Sequence, residues 1–284
     1  MNSIEIKNLT VKYGKMTALN AINLEVPEGA IYGIVGPNGS GKTTLIKTLV
    51  GAIEPTEGNL SVLALDPVKD KYRMRKEIGY MPQSPALYDD MTARENVLFF
   101  GKARHIENLE ARVTEIISFA GLLPYANNKV GTFSGGMKKR VSLCCALVNN
   151  PKIIFLDEPT AAVDPSMKLK LWSMFKKLAL AGVTVIVTTH LMDEAMLCDK
   201  VTILRGGEIL IVDTPQNILQ KGKTKLTITD NSESKNSVID TSPEQVAAEL
   251  KKYGLSSGVS SVRLSPDTIE DVILEITGKK ENIT

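Results

Sequence analysis

Histidine is scarce in this chain of 284 residues, with two, and cysteine barely less so, with three. Cys144, Cys145 and Cys198 form no Cys-x-x-Cys pair, which removes the usual basis for a zinc site. A sparse, odd cysteine set suits a reducing cytosol. Long apolar runs are also missing. None approaches the roughly 18 residues of a membrane span, and the opening Met1-Asn-Ser-Ile-Glu-Ile-Lys7 lacks the apolar core of a secretory signal. The chain is therefore expected to be soluble by itself, which leaves docking on a membrane protein open. Neither sign of charge dominates. With 34 Lys and Arg against 32 Asp and Glu the net charge is +2, so there is no basic footprint for nucleic acid. Internal repeats are absent, and the only biased tract is a short polar loop at 230–237.

What is present is an ordinary globular composition, 43% hydrophobic and 23% charged, in a length that holds one large domain with or without a small one. Ile4 and Ile6, then Ile22, Leu24 and Val26, alternate with polar residues as half-buried strands do. Short apolar, β-branched runs at Ala30–Val35, Ile153–Leu156, Val183–Thr188 and Val201–Leu204 read as buried strands. Helical stretches separate them: Thr43–Ala52, most of 87–147, and a helix from Asp164-Pro165 toward Leu180, with Asp164 as N-cap and proline in the first turn. Thr92-Ala-Arg-Glu95 has the form of a capping box. Buried strands alternating with helices predict an α/β fold on a parallel sheet.

Composition changes after Gly222. Strand candidates at Lys225–Thr229, Ser237–Thr241 and Val259–Leu264 are interleaved with two helical patterns. Ser242-Pro-Glu-Gln245 opens the first, which sets Val246, Leu250 and Tyr253 on one face. The second carries Ile269, Val272, Ile273 and Ile276. Residues 223–284 are expected to form a small α+β appendage to a domain spanning 1–222.

Chemistry is concentrated in three segments. Gly36-Pro-Asn-Gly-Ser-Gly-Lys-Thr43 fits the P-loop pattern in full, after a strand and before a helix. Its glycines let backbone N–H groups turn inward around phosphate oxygens, and the helix N-terminus adds positive dipole. Lys42 is placed to reach the β- and γ-phosphates and Thr43 to ligate Mg²⁺. Ile153-Ile-Phe-Leu-Asp157-Glu158 resembles a Walker B strand, in which Asp157 holds Mg²⁺ and Glu158 acts as general base. Phe133-Ser134-Gly135-Gly136-Met137 stands between the two.

On these segments the chain resembles the ATP-binding-cassette (ABC) ATPases, whose signature is Leu-Ser-Gly-Gly-Gln. The resemblance covers about 1–222 and implies a P-loop cassette with a parallel core sheet, an antiparallel β subdomain and a helical subdomain near 87–147. It implies an ATPase using ATP and Mg²⁺. It also implies a sandwich in which two subunits each pair a P-loop with the opposite signature. Carried over residue by residue, ATP is bound by Tyr13, stacked on adenine, and by Gly36, Asn38, Gly39, Ser40, Gly41, Lys42, Thr43 and Thr44. Catalysis falls to Glu158, to Gln83 of Tyr80-Met-Pro-Gln83, and to His190 of Val187-Thr-Thr-His190. Metal ligation falls to Thr43, Gln83 and Asp157. Ser134, Gly135, Gly136 and Asp164 meet the nucleotide of the opposite subunit. Phe133 and Met137 depart from the signature, and a methionine cannot donate the hydrogen bond a glutamine could. His105 matches no motif and reads as a surface residue.

At branch level, Phe-Ser-Gly-Gly-Met-Lys-Lys-Arg140, Thr-His-Leu-Met-Asp-Glu-Ala195 and the tail running to Gly278 look like the ATPase subunits of prokaryotic drug and polymer exporters. That implies a separate integral membrane subunit docked near Gln83–Tyr88, a second copy or homologous ATPase subunit, and a place on the cytoplasmic face of the cell membrane. Three alternatives stand beside it: a soluble ABC ATPase acting on ribosomes or DNA, an importer ATPase, and a regulatory module that senses ATP without turnover.

Overall fold

The computed structural model describes residues 2–104, 106–230, 233–240, 243–253 and 259–276. His105, Thr241, Ser242 and Gly278, which the sequence reading names, lie outside them, as do the side chains of Tyr253, Ile273 and Ile276. Two compact units are formed, Met1–Val212 and Asp213–Thr284.

The first unit has two sheets. β1 (Asn2–Tyr13), β2 (Met16–Pro27) and β4 (Glu57–Val62) form an antiparallel sheet ordered β2-β1-β4. Here the alternation is realised: Ile22, Leu24 and Val26 are buried while Asn23 and Glu25 face water. The larger sheet runs β5-β6-β7-β3-β8-β9, made of β3 (Ile31–Val35), β5 (Ile78–Met81), β6 (Ile153–Asp157), β7 (Thr184–Thr189), β8 (Lys200–Arg205) and β9 (Glu208–Asp213). Its first five strands are parallel. Every residue of β3, β6 and β7 is buried, which is why these strands read as unbroken apolar runs rather than alternations. Gly206 and Gly207, both at positive φ, turn the chain back into β9.

Helices α1 (Lys42–Leu49), α2 (Lys71–Glu77), α6 (Pro165–Leu180) and α7 (Met192–Ala195) accompany this sheet. α1 stops short of Ala52 because Gly51, at φ 68°, closes it: Gly51 N–H reaches Thr48 O and Ala52 N–H reaches Lys47 O, a glycine-terminated cap. The stretch expected to be helical holds α3 (Ala93–Lys102), α4 (Leu109–Phe119) and α5 (Gly135–Leu147), with two short 3₁₀ turns, Leu123–Tyr125 and Val130–Thr132, between α4 and α5. The capping box at α3 is complete, with Glu95 N–H donating to Thr92 Oγ1 at 3.1 Å and Thr92 N–H to Glu95 Oε2 at 2.7 Å. Fully buried Asn96 binds both backbone groups of Tyr88 and so fixes the loop that enters this subdomain.

The second unit contains α8 (Pro215–Leu219), β10 (Lys223–Asp230), β11 (Glu233–Asp240), α9 (Pro243–Tyr253), β12 (Val259–Pro266) and α10 (Ile269–Ile276). The sheet is antiparallel, ordered β11-β10-β12. Leu226 and Ile228 pack beneath Val246 and Leu250, and Ile269 and Val272 are buried. The unit begins ahead of the composition change after Gly222, because α8, capped by Thr214, packs with α10. β11 begins at Glu233 rather than Ser237: pairing with β10, Asp230 to Glu233, extends it through polar residues.

Candidate functional site

The carboxyl ends of β3, β6 and β7 converge, and the site lies there, as open α/β sheets dictate. After β3 the chain winds through Gly36–Gly41 into α1. Gly41 takes φ 107° and Gly39 φ 79°, conformations that glycine adopts without strain. The first turn of α1 holds no acidic residue, so no acid of the helix itself offsets the positive end of its dipole. A cavity of about 570 Å³ opens over this loop, lined by Tyr13, Asn38–Thr44, Gln83 and Glu158 together with Met16–Ala18, Gly206 and Gly207. Gly36 stands behind the cavity wall, its N–H bonded to Thr189 O. A Cβ there would lie 2.1 Å from Leu204 O and 2.7 Å from Ser40 Oγ. Gly36→Ala is therefore expected to cost about 1–3 kcal/mol of stability through overpacking and to displace the loop. Thermal unfolding and nucleotide titration check this, and an unchanged affinity would count against a loop held this tightly.

Lys42 is 5% exposed and donates to Gly36 O at 2.8 Å and Pro37 O at 3.1 Å, with Glu158 Oε1 3.6 Å away. Burial pulls its ammonium below the usual lysine value, against the opposing pull of Glu158 and Asp157. Around the Glu158 carboxylate gather Gln83 Nε2 at 3.1 Å and His190 Nδ1 at 3.5 Å. Glu158 itself has φ 47°, a left-handed conformation that costs a non-glycine residue about 1 kcal/mol or more and clusters at working sites. Beneath it, Thr188 Oγ1 donates to Asp157 Oδ1 at 2.7 Å and accepts from Glu158 N–H at 2.9 Å. Thr43 Oγ1 reaches the same Asp157 oxygen at 3.3 Å.

These residues fit a magnesium nucleotide. Buried Ser40 Oγ has no hydrogen-bond partner among the described residues, and the loop presents donors to an anion. Thr43 and Asp157 offer adjacent hard oxygens, the chemistry Mg²⁺ prefers when phosphates complete its shell.

Ser134, Gly135, Gly136 and Asp164 do not line this cavity. Ser134 caps α5 by accepting from Met137 N–H, and Asp164 caps α6 by accepting from Met167 N–H. Ser134, Gly135 and Asp164 are exposed. A second groove runs beside Asp164, lined by Thr160–Val163, Leu169, Trp172 and His190, with Trp172 packed edge-on against Phe175. Sequence reasoning missed Met16–Ala18, Gly206 and Gly207, which enter by tertiary contact. It also missed Thr188, although a polar residue inside Val-Ile-Val-Thr-Thr invites the question of its partner. Lys139 was missed too: it is 7% exposed and donates to Gln83 O at 2.7 Å and Glu158 O at 3.1 Å.

A phosphate-binding loop, a carboxylate after a buried strand and a cavity of nucleotide size define a P-loop nucleoside-triphosphate hydrolase. Residues 19–161 match the family model described as ABC transporter. The chain belongs to that family, as an ATP-hydrolysing cassette that couples hydrolysis to transport. It is 33% identical to the Nod factor export ATP-binding protein I of Sinorhizobium fredii, over 98% of this chain and 87% of that protein. It is 35% identical to the linearmycin resistance ATP-binding protein LnrL of Bacillus subtilis, over 77% of this chain and 71% of that one. Among solved structures, the dimeric cassette MJ0796 bound to ADP and Pi superposes with TM-score 0.68 at 32% identity, covering 74% of this chain and 98% of that one.

Proposed function

We propose that this chain drives export through a separate integral membrane subunit, working as a dimer with a second copy or a homologous ATPase subunit. One observation carries the reading. The P-loop cavity is lined by Lys42, Gln83 and Glu158, while Ser134 and Gly135 are exposed and do not line it. Half of an ATP site and half of its complement therefore sit apart on one chain, and two chains supply both. ATP pairs the P-loop, with Tyr13 on the base, to the opposite Ser134–Gly136 and Asp164. Glu158 takes the proton of the attacking water, oriented with Gln83, and His190 stands at the γ-phosphate side. Mg²⁺, held by Thr43, Asp157 and Gln83, would neutralise charge on the phosphates. Closure does work because ATP binds the closed dimer better than the open one, and loss of the γ-phosphate removes that difference.

The export direction is supported by relatives whose names concern export and resistance. Among the described residues no helix is long and apolar enough to cross a membrane. The membrane subunit of this proposal is a distinct chain, with the cassette on the cytoplasmic face. No nucleic-acid partner is proposed, given the net charge of +2. The test is recovery of the tagged protein from gently solubilised native membranes, followed by mass spectrometry. A polytopic membrane protein retained after nuclease treatment is the expected companion. Recovery with ribosomes or nucleic acid alone would sink the transporter assignment, and a substrate-binding protein in the complex would reverse the direction.

A further inference from the structure

Lys139 lies on the second turn of α5, the helix that Ser134 caps. Its ammonium is buried, yet among the described residues it forms no ion pair. Its bonds go to two main-chain oxygens, Gln83 O at 2.7 Å and Glu158 O at 3.1 Å. Those acceptors are 75 residues apart in sequence and belong to different segments, the loop after β5 and the end of β6. Their side chains also meet, where Gln83 Nε2 donates to Glu158 Oε2 at 3.1 Å. The two residues are thus joined twice, once by their own side chains and once through one lysine.

Burying an ammonium is costly, and an apolar side chain of similar length would fill the same space without that cost. What the apolar chain could not do is satisfy both carbonyls at once. We propose that Lys139 is a positioning residue for ATP hydrolysis, clamping the backbones of Gln83 and Glu158 so that their side chains converge on the attacking water. The proposal rests on Glu158 as the base. Lys139 also lies five residues along the helix from Ser134, about 7.5 Å of rise, so a shift of the helix start is transmitted rigidly to the clamp. A contact made at the signature by the opposite nucleotide would thereby reach this chain's own base.

The clamp requires donors rather than charge, and that separates it from a general electrostatic effect. Lys139→Met removes the donors and keeps most of the length; Lys139→Gln offers two amide N–H groups without charge. Both are compared in the full chain by steady-state ATP hydrolysis and, without nucleotide, by amide hydrogen exchange of the segments containing Gln83 and Glu158. For Lys139→Met, kcat should fall about tenfold or more, since small misplacements of reacting groups carry such penalties, with KM for ATP within about threefold. Exchange in both segments should quicken about tenfold, the loss of a charge-assisted hydrogen bond. Lys139→Gln should recover most of each. If the methionine variant leaves kcat and exchange unchanged, or if the glutamine variant is impaired equally, the clamp is overturned. Absence of hydrolysis in the unaltered protein would instead refute the role of Glu158, and the exchange comparison would still decide the clamp.

Discussion

Glu158→Gln is expected to retain ATP and to hydrolyse it about 10²- to 10⁴-fold more slowly, the range over which a positioned general base contributes. The substitution is nearly isosteric, and the residue is buried in a backbone conformation set by Thr188 and Lys139, so the fold should tolerate it. What changes is charge. The carboxylate stands 3.6 Å from Lys42 and partly neutralises it. The amide leaves the lysine's full charge for phosphate, so affinity for ATP should hold or rise while turnover collapses. Trapped nucleotide should then accumulate closed dimers. Single-turnover hydrolysis and size-exclusion chromatography with ATP and Mg²⁺ read both effects. A rate within threefold of the unaltered protein would falsify the assignment of the base.

Lys42→Met should act on the opposite step, weakening ATP binding by roughly 10- to 100-fold, as expected when charge-assisted hydrogen bonds worth about 1.5–3 kcal/mol are lost. Two features sharpen the expectation. The ammonium is held over the loop by Gly36 O and Pro37 O, so its position is fixed before nucleotide arrives. Its removal also leaves the Glu158 carboxylate, 9% exposed, without the cation beside it, which adds repulsion toward a phosphate. Calorimetric titration with ATP, ADP and AMP should show the largest loss for ATP and little change for AMP. Equal losses across the three would place the lysine on the wrong part of the nucleotide.

The parts of this molecule that the sequence discloses are those fixed by neighbours in the chain. The P-loop, the capping box at Thr92 and Glu95, and the Asp164-Pro165 helix start each depend on residues a few positions apart, and each is found as read. The buried strands β3, β6 and β7 are legible because burial on both faces leaves an unbroken apolar run. β4 is not, since Glu57-Gly-Asn-Leu-Ser-Val62 has little preference for a strand and becomes one by pairing with β1. β5 is four residues long and rests on β6, more than 70 residues away. β11 begins within a segment whose composition reads as a turn, because its partner strand supplies the hydrogen bonds. In the site the same division holds. Glu158, Lys42 and Gln83 belong to local motifs, whereas Thr188, Lys139 and the Gly206–Gly207 edge are recruited from elsewhere, and no spacing rule announces them.

One side chain gives the molecule an optical property. Trp172 is the only tryptophan in the chain, and it is nearly buried on the wall of the groove that carries Asp164's loop and His190. Its indole N–H has no acceptor among the described residues. Indole emission is sensitive to local polarity, and here every photon comes from a single position beside the surface that the proposed dimer would close. The unmodified protein therefore carries its own spectroscopic gauge of that closure, readable in a cuvette without any attached dye.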